Sequence, residues 1–295
     1  ATTEMVLMGL VLGPVMSLFV QVSAVQQTVG EFWRRGVAET MLSVGVIVTV
    51  PIAYLLFGQS YLASVLAFVV GYCLATGLGS WWCRPWISPR SISKAAIWEM
   101  LPFGWYNFLC GVGFFFTSSI QRPILKYYLS STEVGQYSLY TMASLDMATY
   151  GGTVLATVFF PIASRSSDRA GLWTVTWRAW LKVIWLLIAG LFATQVVAVL
   201  LSGRSEYPLD FGLIGVFAVT AGVLVVQNSL GQIIGAEGVR GARLGVAMSL
   251  FVGFTNVGLS LLLIPAFHIY GAVLSLFLVY SASLVVLILV RKRYL

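Results

Sequence analysis

The chain has 295 residues, of which 59% are hydrophobic and only 9% charged, and its mean hydropathy is +0.92. A soluble domain carries about 25% charged residues, so a soluble fold is excluded, and with it the practice of counting domains by length. The sequence reads as an all-α polytopic membrane protein.

A spanning helix needs about 20 apolar residues, because the hydrocarbon layer is roughly 30 Å thick and the rise is about 1.5 Å per residue. Nine segments meet this: residues 5–25, 37–57, 61–79, 101–118, 134–160, 180–201, 211–232, 245–264 and 270–290. None alternates apolar and polar residues as the strands of a membrane barrel would. Residues 1–80 are expected to close a first helical lobe with about three spanning helices. Residues 81–100, rich in Trp and Arg and broken by Pro85 and Pro89, read as a linker lying at the headgroups. Residues 101–295 then form a second lobe of about six spanning helices.

The basic residues orient this array. Fourteen of the 17, from Arg34 and Arg35 to the tail Arg291-Lys292-Arg293, fall on one side of the nine crossings; Arg122, Lys126 and Arg204 fall on the other. The positive-inside rule places the first set and the C-terminus in the cytoplasm. The pI near 9.5 therefore follows from topology, and no nucleic-acid partner is implied. Nine crossings leave Ala1 outside. There is no initiator Met, and the first segment lacks the basic start of a signal peptide. Further helices are therefore expected upstream.

Chemistry-bearing residues are sparse. Cys73, Cys83 and Cys110 have no metal-ligand spacing and His268 stands alone, so neither metal nor cofactor is expected. No paired carboxylates, HExxH or phosphate-binding loop occurs. Gly235 and Gly238, in the basic run 235–243, read as turn residues. The Ser130–Glu133 pattern reads as a capping box starting a helix. Asp146 lies 13 residues beyond Glu133, roughly 20 Å along the axis. A carboxylate at that depth costs at least about 2.5–3.5 kcal/mol, so it is expected to face protein or water. Asp146, Thr149, Tyr150, Thr153 and Thr157 recur at helical intervals as one polar stripe, opposite Leu145, Ala148, Leu155 and Phe159. The preceding helix carries Asn107, Gly111, Ser118 and Arg122, and other helices add Gln195, Gln227, Asn228 and Asn256. Such groups either line a hydrated cavity or bond helix to helix.

Two stretches carry a family resemblance. Residues 101–140 hold Pro102, Gly104, the Leu129-Ser130 link and the turn Glu133-Val134-Gly135-Gln136-Tyr137; residues 256–292 hold Asn256, Leu263-Ile264-Pro265 and Gly271-Ala272. Both resemble Wzx-type polysaccharide flippases of the MOP exporter superfamily. Gln121 departs from that pattern, since many relatives place an aspartate there, just before the basic residue matched by Arg122. The resemblance implies two helical lobes around a central cavity in the bacterial cytoplasmic membrane, working by alternating access. It implies an undecaprenyl-pyrophosphate-linked oligosaccharide as cargo, membrane lipid as surroundings, and a polysaccharide polymerase and other glycan-assembly proteins as partners. The expected cavity residues are Arg122, Lys126, Asp146, Asn107, Gln121, Thr149, Tyr150 and Thr153, with Arg122 and Lys126 suited to an anionic group. A MATE-like cation-coupled drug antiporter is the nearest alternative. A membrane polymerase or ligase is disfavoured, because no sizeable extramembrane loop is present to hold a catalytic site.

Overall fold

A computed structural model of the chain describes residues 3–58, 61–86, 93–202 and 207–294. Arg90 and Arg204 lie outside the described residues, as does the side chain of Asn107. Every described element is helical. Among the described residues, eight helices are long and apolar enough to cross a membrane. The last of them contains two of the nine expected segments.

The chain divides into two compact units, residues 1–94 and 95–295. The first holds α1 (Thr3–Val29), α2 (Phe32–Phe57) and α3 (Tyr61–Cys83). Helix α3 packs on both others. A Cβ on Gly71 would meet the carbonyl of Leu42 at 3.1 Å, so a small residue lets α3 lie close on α2. Close approach matters because lipid leaves no hydrophobic drive between helices.

The second unit holds α4 (Lys94–Ser118), α5 (Gln121–Tyr128), α6 (Ser131–Thr141), a π turn (Met142–Asp146), α7 (Met147–Arg165), α8 (Arg169–Leu201), α9 (Phe211–Gly235) and α10 (Val239–Tyr294). Helix α9 is its axis: it packs on α7, α8 and α10 and most of its spanning length is buried. By contrast Leu186 on α8 is 75% exposed, as suits a lipid-facing side chain. Helices α4 and α10 touch at backbone distance. A Cβ on Gly253 would fall 2.6 Å from the carbonyl oxygen of Gly113, and Ser249 Oγ donates to the carbonyl of Cys110 at 2.8 Å.

Several expected boundaries move. Helix α4 begins at Lys94, inside the expected linker, and runs through Pro102. It stops at Ser118, so Arg122 belongs to the separate helix α5 and does not continue the face of Gly111 and Ser118. Pro123 gives the reason: it lacks the N–H that a continuous helix would bond to the carbonyl of Ser119. The capping box at Ser130 and Glu133 forms as expected. The segment 134–160 is not one straight α-helix, since the π turn interrupts it. The segments 245–264 and 270–290 join in α10, broken only at His268, whose φ of 54° and ψ of −129° are not helical. Gly238, with φ +66°, makes the turn from α9 to α10.

Candidate functional site: an amide-lined cavity beside a charged cluster

Polar side chains of the second unit form three arrangements. The first is a closed network on Gln121, which is 1% exposed. Its Nε2 lies 3.1 Å from Asn256 Oδ1, 3.2 Å from Ser260 Oγ, and 2.9 Å from both the Ala272 carbonyl and Ser275 Oγ. Two amide hydrogens therefore face four acceptors. Tyr137 donates its hydroxyl to Gln121 Oε1. Asn256 Nδ2 donates in turn to the carbonyls of Phe116 and Thr117 at 3.4 and 3.3 Å. So the expected cavity residue Gln121 faces no open space. It ties α5 to α4, α6 and α10.

The second arrangement is a charged cluster next to that network. Arg122 is exposed and, among the described residues, has no hydrogen bond or ion pair. Its charge lies within Coulombic reach of Asp146 and of the Tyr137 hydroxyl. Tyr280 on α10 is within reach of both Asp146 and Tyr137. Lys126 points elsewhere and donates to Ser131 Oγ. Asp146 ends the π turn, is half-buried, and sits where the turn packs on α8 and α9.

The expected stripe on α7 needs correcting. The face that packs inward is the one that carries Leu145, Ala148 and Gly152, all buried. Tyr150 is 74% exposed and Thr153 is exposed. Two causes act together. Ala148 and Gly152 are small enough for α9 to approach. The hydroxyls of Thr149 and Thr153 donate to the carbonyls of Leu145 and Thr149 at 2.8 and 3.0 Å, so neither requires an interior partner. Only Thr149 of the stripe reaches the cavity described next.

The third arrangement is a half-open cavity of about 500 Å³ bordered by α4, α7, α9 and α10. That size is within the roughly 300–1,000 Å³ of ordinary ligand pockets. Polar groups reach it from all four helices: Thr117, Thr149, Gln227, Asn228, Gln232 and Ser249 among them. None of the described lining residues is charged. Asn228, Gly231 and Gln232 follow one another at helical spacing on α9, so the two amides share a face. Gly111 on α4 and Gly231 on α9 both line it, and a Cβ on either would meet nothing within 4 Å. Gln227 donates to Ser283 Oγ at 2.9 Å, while its Oε1 is buried without a partner. Gln232, Ser249, Thr117 and Tyr280 were not singled out from sequence. The spacing of Asn228 and Gln232 was the available signal.

Comparison with known proteins gives this geometry its setting. The profile of the family described as "Polysaccharide biosynthesis protein" matches residues 6–202. The chain belongs to that family. The match includes the first unit, where the sequence motifs noted above are fewest. Among solved structures the chain is similar to an outward-facing conformation of a multidrug resistance MATE family transporter of the MOP superfamily. The identity is 15% and the TM-score 0.56, over 88% of this chain and 62% of that one. A search of curated proteins finds no match. The protein therefore has the fold of a MOP transporter and is a multi-pass membrane protein.

Proposed function

We propose that this polysaccharide biosynthesis protein works as a flippase. It carries a lipid-linked oligosaccharide from the cytoplasmic to the opposite leaflet of the bacterial cytoplasmic membrane, by alternating access. The observation that carries the reading is the cavity between α4, α7, α9 and α10, mostly apolar but with amides and hydroxyls from all four helices, because a bundle that only had to be stable would fill such a space. The lobes that rock are residues 1–80 and 101–295, joined through 81–100. The basic side and the C-terminus lie in the cytoplasm.

The cargo is an undecaprenyl-pyrophosphate-linked oligosaccharide, and Arg122 is the anion contact. It is exposed and carries a charge without a hydrogen-bonded partner among the described residues. Its guanidinium can hold a phosphate through two parallel hydrogen bonds. Asp146 is within Coulombic reach of that charge. The drug-antiporter reading rests on the shared fold alone, since an organic cation wants an acid in its pocket and the described lining has none.

The test is surface appearance of the lipid-linked glycan in cells lacking their own flippase, using the full-length protein. Wild type restores it. Arg122→Ala lowers export by roughly tenfold or more, the loss of a charged hydrogen bond of about 1.5–3 kcal/mol. Arg122→Lys also fails, because an ammonium cannot reproduce the fork. Full rescue by both variants leaves Arg122 as a headgroup anchor. Failure of wild type, with efflux of a cationic dye instead, overturns the flippase reading.

A further inference from the structure

We infer that the α4–α7–α9–α10 cavity is a saccharide subsite that selects uncharged sugar residues, distinct from the place where the anionic linkage is held. The inference rests on the flippase reading for its cargo and on the cavity's own chemistry for its selectivity.

Three features define the site. First, its polar groups are neutral: side-chain amides and hydroxyls, with no Asp, Glu, Lys or Arg among the described lining residues. An amide both donates and accepts, which matches a sugar hydroxyl that does the same. An anion in this space would meet no cation among the described lining residues to offset its lost hydration. Second, the amides have unused capacity. Gln227 Oε1 is buried without a partner, and Asn228 and Gln232 border the cavity with no hydrogen bond to a described residue. This differs from Gln121, whose amide is fully engaged. Asn228 and Gln232 are half-buried, so their donors and acceptors can be met by a ligand that supplies hydroxyls. Third, there is room. Gly111 and Gly231 leave open space from two helices, and Phe114 and Tyr280 supply aromatic surface against which the apolar face of a sugar ring can lie.

The charged groups lie outside the lining of this site. Arg122 and Asp146 are not lining residues, yet Asp146 is within reach of Tyr280, which is one. A lipid-linked glycan can therefore place its phosphates by Arg122 and its sugars among the amides.

Cys110 lines the cavity and reports on it directly. The full-length protein is purified with Cys73, Cys83 and any other cysteine replaced by serine. The rate at which a small methanethiosulfonate modifies Cys110 is then measured with and without a panel of neutral di- and trisaccharides of hexoses and N-acetylhexosamines. Inorganic pyrophosphate at matched ionic strength is the comparison. A neutral saccharide is expected to slow modification several-fold, and pyrophosphate to leave it unchanged. Asn228→Leu/Gln232→Leu is expected to bring the ratio of the two rates to one. So is Gly231→Leu, whose Cβ meets no neighbour within 4 Å and which guards against a folding defect in the double variant. The inference is overturned if no saccharide protects Cys110, if pyrophosphate protects equally, or if protection survives in the folded variants. The flippase reading is judged separately by glycan export. Export by wild type without protection removes the subsite alone, whereas protection without export removes the flippase and leaves a neutral-saccharide site.

Discussion

Gln121 and Gln232 are the same residue type in one helical bundle, yet they do opposite things. Gln121 is closed: every polar atom of its side chain is bonded, to Asn256, Ser260, Ala272, Ser275 and Tyr137. Gln232, with Asn228, lines a cavity of about 500 Å³ and has no hydrogen bond to a described residue. The closed network lies on the half of α4 and α10 near the α4–α5 turn. The open amides lie toward the α9–α10 turn at Gly238. In lipid, a polar side chain that has found its partners holds helices together, while one with vacant capacity is available to a ligand.

The largest expected effect comes from opening the closed side. Gln121→Leu strands the Tyr137 hydroxyl in the interior, at about 1–3 kcal/mol for a group left unpaired, and leaves Asn256 Oδ1 with Ser275 alone. Thermal unfolding in detergent should show a marked drop, and an unchanged midpoint would mean that the network does not hold α5 in place. Gln227→Leu is intermediate, because only its bond to Ser283 is lost. About 0.5–1.5 kcal/mol is expected, read from the same unfolding curve. The smallest effect belongs to Ser260→Ala. Gln121 and Ser275 keep their other partners, so the loss should stay near the average of about 0.6 kcal/mol for a bond between membrane helices. If Ser260→Ala and Gln121→Leu cost the same, the network acts as a single unit and not through its central amide.

Much of the fold was legible in the sequence, because spanning length and hydropathy act locally. The Ser130–Glu133 cap formed as read, since both partners lie within one turn. What escaped depends on neighbours far along the chain. Gln121 and Asn256 are separated by 135 positions, and nothing in either local pattern says that they meet. The same holds for α7: its threonine stripe looked inward-facing, but those hydroxyls are satisfied by their own helix, which leaves the small residues Ala148 and Gly152 to make the contact. Asn228 and Asn256 looked alike in sequence. One lines a cavity and the other completes a network, a difference set by which helix lies opposite.

The comparison comes down to Asn228→Leu/Gln232→Leu set beside Gln121→Leu, with unfolding midpoint and surface glycan measured on the same full-length proteins. The account predicts that the double variant unfolds with the wild type while export falls by roughly tenfold, the equivalent of about 1.4 kcal/mol of lost contact. It predicts that Gln121→Leu is the one that loses stability. A double variant that exports like wild type, or that unfolds as early as Gln121→Leu, would contradict it.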